Sequence, residues 1–297
     1  MSKRRVPNTQ YEASLQSLQG RHSGSIPSKQ FVGLSLSGGK ADKTGFAVVE
    51  YFSDHKKIFL SSLVDQIQNE DGISADLQIH KMIQAVGKNL ESIAVDAPLT
   101  WPKCVQCRLK CPGFEKCGEP EVKWMTRHYH RKNSERRPFR FMTPYTERCT
   151  ELHWEENFEE KVTLQQAGGA NRAPITARMH FIQRRLKEDF IEVAPKLSFW
   201  RMGLSLGLPK SKLRLHRHWE GGAESRALFV EGLLKKDLAF IYEQDRKILI
   251  EDQYAFDAFI AALTGLMKFK KQTENRPRGY PKEEGWIEVP KQKLKWP

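Results

Sequence analysis

The sequence predicts an α/β protein built on one mixed five-stranded sheet, three antiparallel strands followed by parallel ones, flanked by helices. Three observations predict it. Apolar runs rich in strand formers crowd between residues 31 and 63, separated only by short polar turns. A helical period then delivers the chain to residues 92–96, a run too short and too apolar for an exposed strand and suited to a central parallel position. Beyond residue 190 a further apolar run and two long helical patterns follow, the second pattern apolar almost all round and hence deeply packed.

Taken in order, residues 1–29 are polar, rich in Ser, Gln, Gly and Arg, and lack a sustained apolar period. They read as a flexible basic tail ahead of one domain over 30–297. Residues 31–36 form the first strand and 37–43 a turn. Residues 44–52 form the second strand, with Val48, Val49 and Tyr51 as strand formers. A turn at Asp54-His-Lys-Lys57 leads to a third strand over 58–63. Leu77, Ile79, Met82, Ile83 and Val86 recur at three- and four-residue intervals, which predicts a helix over 74–89. Between 101 and 173 the regular pattern dissolves into Cys, Arg, Lys, His and aromatic residues. A connection of that length inside a compact domain is an insertion with a role or a staple of its own. Pro174 suits a first helical turn, and Met179, Ile182 and Leu186 share one face of a helix over 175–188. A fifth strand at 190–194, helices over 225–237 and 252–269, and an edge strand at 286–289 complete the pattern.

The chain carries 49 Lys and Arg against 36 Asp and Glu, a formal net charge of +13. That surplus favours a polyanionic partner, nucleic acid ahead of membrane, because no basic amphipathic helix stands out. No segment has the roughly 20 uninterrupted apolar residues that crossing a bilayer requires. Residues 1–5 are basic, but no apolar stretch of a secretory signal follows, so a cytoplasmic location is expected.

Four of the five cysteines crowd into Cys104-Val-Gln-Cys107-Arg-Leu-Lys-Cys111-Pro-Gly-Phe-Glu-Lys-Cys117. Thiolates at that spacing can converge on one tetrahedral zinc ion, and a closed site would tie down the insertion. So compact a run also suits an iron–sulfur cluster. Past it, Lys123, Trp124, Arg127 and Arg131, then Arg136, Arg137 and Arg140, alternate cations with aromatic rings. Such a pattern supplies phosphate contacts and stacking platforms together, as nucleic-acid binding needs.

Three carboxylates sit in apolar surroundings. Asp96 closes Ile93-Ala-Val-Asp96-Ala-Pro98, Glu192 lies within Phe190-Ile-Glu192-Val-Ala-Pro195, and Asp257 interrupts Tyr254-Ala-Phe-Asp257-Ala on an otherwise apolar helix. Burying a lone carboxylate is costly without a partner or a metal, so several of them point to one shared site.

With the Gly33-Leu-Ser35 strand and its Gly-rich turn, these segments resemble a family of ribonuclease H-like proteins, the domain of unknown function numbered 429. Its members are predicted nucleases, distantly similar to Holliday-junction resolvases. The likeness runs in patches from Phe31 to Leu266 and leaves the Cys-rich insertion outside the shared core. The resemblance implies phosphodiester hydrolysis of DNA or RNA, with Mg2+ or Mn2+ held by acids from the first strand, the fourth strand and the last helix. It assigns Asp96 and Asp257 to acid positions. It also exposes two departures: Ser35 stands where the first strand should carry aspartate, and Tyr254 where resolvase-like members often carry a second one. A neutral hydroxyl cannot offset the charge of bridging metals. The outcome is then either a non-catalytic nucleic-acid-binding module or a weaker single-metal site rebuilt with Glu192 and Asp42. A third reading makes Ser37-Gly-Gly39-Lys40 with Thr44-Gly45 the phosphate turn of an actin-like ATPase. Those enzymes need two such domains, and one copy nearly fills this chain.

Overall fold

The structure is a computed structural model that describes residues 28–38, 43–70, 72–133, 142–186 and 188–297, with the backbone alone for 130–133. Residues 1–27 of the expected tail, Asp42, Arg136, Arg137 and Arg140 lie outside the described residues, as does the Arg131 side chain.

One sheet of seven strands forms the framework, in the order β6-β3-β2-β1-β4-β5-β7. Strands β1 (Lys29–Ser35), β2 (Thr44–Phe52) and β3 (Lys57–Ile67) form the antiparallel meander. Strand β3 outruns its expected end because Val64 and Ile67 are buried as well. Helix α1 (Ala75–Val86) starts where the Ser74 side chain accepts the Leu77 amide at 3.2 Å, an N-cap, and stops at Gly87, whose φ of 81° favours glycine. Strand β4 (Leu90–Val95) then lies parallel to β1, and β5 (Phe190–Val193) parallel to β4. The expected count of five is corrected to seven by β6 (Ala239–Phe240) and β7 (Ile287–Glu288). Strand β7 lies within the edge strand expected at 286–289, whereas β6, two residues long, is too short to carry an alternating pattern.

The chain divides into two compact units. The first comprises the residues up to Asp96, Ile182–Glu274 and Glu288–Pro297. Its helices include α6 (Pro195–Leu206), α7 (Lys210–Leu213), α8 (Gly222–Lys235), α9 (Glu243–Glu251) and α10 (Gln253–Phe269). The second comprises Ala97–Phe181 and Asn275–Ile287, with α2 (Lys103–Gln106), α3 (Pro120–Asn133) and α4 (Cys149–Asn157); α5 spans Ala173–Arg185.

Helix α10 lies flat on one face of the sheet because glycines clear its path. A Cβ at Gly33 would sit 1.9 Å from the Ala258 carbonyl oxygen, and one at Gly45 2.3 Å from that of Tyr254. Ala94, Val193 and Ala261 then pack together between strands and helix. Asp252 caps the helix by accepting the Ala255 amide at 2.7 Å.

The second unit has a core of its own, unlike the patternless insertion expected. Arg148 is fully buried, and its Nε and Nη2 donate to Glu151 Oε1 at 3.0 and 2.8 Å. Glu151 Oε2 takes the Arg148 amide at 2.9 Å, a capping box for α4. This helix left no apolar period because its buried residues, Cys149, Thr150, Glu151, Leu152 and Trp154, are nearly consecutive and include a Thr and a Glu.

Candidate functional site: a guanidinium between two carboxylates

The close approach of α10 brings Asp257, in its second turn and almost wholly buried, to the end of β4. Asp96 extends the parallel ladder one residue past β4, its amide donating to the Leu34 carbonyl at 2.8 Å. The two carboxylates therefore meet as the sequence leads one to expect. What lies between them is Arg217. Its Nη2 is 2.9 Å from Asp96 Oδ2 and 2.9 Å from Asp257 Oδ2, one nitrogen shared by both acids. Burial works against the guanidinium charge, but Asp257 and then Asp96 outweigh it and hold the Arg217 pKa above its ordinary value.

Arg217 belongs to the loop between α7 and α8, and that loop is held rigidly. Arg226 donates from Nη1 to the His216 carbonyl at 2.6 Å and from Nε to the Ile250 carbonyl at 2.9 Å. It thereby ties the loop to the end of α9, next to the start of α10. His216 is buried against Phe199, with ring centroids 4.7 Å apart. Burial lowers its pKa, with Asp257 pulling the other way. Its Nε2 faces Asp257 Oδ1 at 3.5 Å without forming a hydrogen bond, and both atoms lack a hydrogen-bond partner. Two carboxylates against one guanidinium leave one formal negative charge in the corner and one unsatisfied carboxylate oxygen.

Ser35 is buried at the end of β1 and pairs with Gly45 across the hairpin. Alternation along the strand puts it on the face of Gly33, the face α10 covers. Glu192 does not join the pair. It is in register with Val95, whereas Val193 packs against Ala261 of α10, so Glu192 belongs to the opposite face. In the turn after β1, Gly39 and Lys40 lie outside the described residues. The Ser37 amide donates to Thr44 Oγ1 at 3.3 Å, and Gly45 is pressed against the Tyr254 carbonyl.

In the second unit Trp124 is no free platform. It stacks on His128 at 5.0 Å and meets Tyr280 edge-on at 5.4 Å, inside an aromatic cage with His153 and Trp286. Lys123 and Arg127 are exposed on α3, with Arg127 Nε donating back to the Lys123 carbonyl at 3.2 Å. Cys104, Cys107, Cys111 and Cys117 carry free thiols. Burial raises the Cys104 pKa first, and the sulfurs of Cys117, Cys107 and Cys111 add to it, so the four feel one another. Among the described residues no group of three or more His, Cys, Asp or Glu side chains is gathered closely enough to hold a metal ion.

Arg217 and His216 have no counterpart among the residues singled out from the sequence. Their only signal is the run Leu215-His-Arg217-His-Trp219, a basic stretch outside any strong helical pattern.

An α/β framework with a guanidinium-bridged acid pair at the end of its central strands thus defines the molecule. The profile of the family described as "Protein of unknown function (DUF429)" matches residues 41–275, and the chain belongs to that family. No curated protein and no solved structure matches it. Among the described residues, no helix is long and apolar enough to cross a membrane.

Proposed function

We propose that this chain is a ribonuclease H-like, nucleic-acid-binding protein whose acidic corner carries an internal cation in place of catalytic metal, a degenerate nuclease that binds without cutting. The observation that carries this reading is the single Arg217 nitrogen 2.9 Å from both Asp96 and Asp257. A guanidinium so held supplies the positive charge that divalent ions bring to such a corner, and it occupies one oxygen of each carboxylate. Ser35 adds no charge to compete for the ion. The residues present therefore do not suit Mg2+ or Mn2+. The net charge of +13 supports a polyanionic partner.

A specific observation favours a second reading, in which the guanidinium withdraws and a metal enters to cut. Asp257 Oδ1 is buried without a hydrogen-bond partner, so the pair has acceptor capacity to spare. The two readings separate in one experiment. Purified protein is incubated with Mg2+ or Mn2+ and labelled single-stranded, branched and hybrid substrates. The expected result is binding that weakens steeply with salt and no cleavage. Cleavage that Asp96→Asn and Asp257→Asn both abolish would establish the nuclease instead.

In the second unit, the sequence spacing of Cys104, Cys107, Cys111 and Cys117 suits structural zinc, which would have to draw the four thiols together on binding. Elemental analysis of the purified protein tests this. One zinc per chain in a colourless preparation is expected, and a brown preparation containing iron would mean an iron–sulfur cluster.

A further inference from the structure

The loop that carries Arg217 also presents the most exposed large hydrophobic side chain among the described residues. Trp219 is 86% exposed. Its indole packs only beside the neighbouring His218 ring, with centroids 6.1 Å apart and planes 27° from parallel. Leaving an indole in water forgoes a large burial energy, and such a ring carries most weight at interfaces where one side is dry and the other wet.

The loop is not loose. The Leu215 amide donates to the Lys212 carbonyl at 3.0 Å, that of His218 to the Leu215 carbonyl at 2.7 Å, and that of Gly222 to the His218 carbonyl at 3.1 Å. The Glu220 amide donates to His218 Nδ1 at 3.2 Å, and Gly221, with φ 78°, turns the chain into α8. With Arg226 on the His216 carbonyl, Trp219 is displayed on a fixed support. Binding there would cost little ordering.

The charge around the ring identifies what it would bind. From Lys210 to Trp219 the chain carries Lys210, Lys212, Arg214 and Arg217; Lys212 is paired with Glu224 at 2.5 Å, and the exposed Glu220 follows the ring. Lys210, Arg214 and Arg217 are exposed. A cationic segment ending in a bare indole matches a ligand with phosphates along one side and a free aromatic face on the other. Paired bases in a duplex do not offer that face. Resting on the nucleic-acid-binding reading above, we propose that Trp219 is a stacking platform for an unpaired base of single-stranded nucleic acid, with Lys210 and Arg214 tracking its phosphates.

The test uses the full chain and measures fluorescence anisotropy of labelled single-stranded DNA, single-stranded RNA and a DNA duplex of the same sequence. Trp219→Ala is expected to weaken binding of the single strands by about tenfold, the scale of one lost base–aromatic stack. Duplex affinity and the salt slope should stay unchanged, and Trp219→Phe should keep most of the affinity. Lys210→Ala should lower the salt slope of single-strand binding by about 1. Unchanged single-strand affinity in Trp219→Ala, with wild-type binding intact, would overturn this assignment alone. Failure of the wild-type chain to bind any of the three would overturn it together with the function on which it rests.

Discussion

Arg217 decides the chemistry of the acid pair. Its side chain is 36% exposed while both carboxylates are largely buried, so the pairing falls between a weak surface bridge and a strong buried one. Replacing it by methionine should cost about 1–3 kcal/mol, because two like charges are then left facing each other without the cation that bridges them. The same change empties the cation position. Added Mn2+ should therefore raise the melting temperature of Arg217→Met and leave that of the wild type unmoved. Equal responses of the two proteins would mean that the guanidinium does not stand in for a metal.

At the scale of elements, the site depends on how closely α10 lies on the sheet. Gly33 is the controlling position, since a methyl group there would meet backbone and not a side chain able to swing away. Gly33→Ala should destabilise the protein by at least about 2 kcal/mol, the upper range for overpacking, as read by urea denaturation. It should also part Asp257 from Asp96 and loosen Arg217. A variant as stable as wild type would show that the helix tolerates a shift away from β1. Gly45 plays the same part at the start of the helix, where it meets the Tyr254 carbonyl.

At the scale of the whole molecule, buried titratable groups of the second unit shape stability against pH. Burial pushes Glu284 up to about 7, with Arg148 opposing and Glu151 reinforcing the shift. A raised carboxyl pKa gives stability that is complete below the unfolded value, near 4.5, and lost as pH rises through about 7. Burial pushes His153 down to about 4, and the nearby His128 adds to the shift. A lowered imidazole pKa works in the opposite sense: its stability is complete above 6.5 and lost as pH falls through about 4. Each effect is worth up to roughly 3 kcal/mol, and they oppose each other where their windows overlap. Denaturation midpoints should accordingly vary little between about pH 4.5 and 6.5 and fall toward pH 8. Glu284→Gln should abolish the alkaline fall and uncover an acid-side loss. A variant that still weakened from pH 6.5 to 8 would place the titrating group elsewhere.

The sequence by itself determined the strand meander, the helices α1 and α10, and the meeting of Asp96 with Asp257. Apolar periods and isolated carboxylates are local, and the cost of burying a charge applies whatever the fold. It did not reveal β6, which is two residues long, or α4, whose buried residues are nearly consecutive and set no period; β7 falls within the edge strand expected at 286–289. Nor could it separate Glu192 from the pair, because strand alternation acts on a register that only the assembled sheet supplies. Trp124, a stacking platform in the sequence pattern, is half-buried among rings from residues 128, 153 and 280. Arg217 stands 121 residues from Asp96 along the chain, and Arg226 sets its loop. The choice between a metal and a guanidinium at the acid pair thus belonged to the tertiary structure, because the sign and size of a pair's electrostatic energy depend on distances that no linear pattern records.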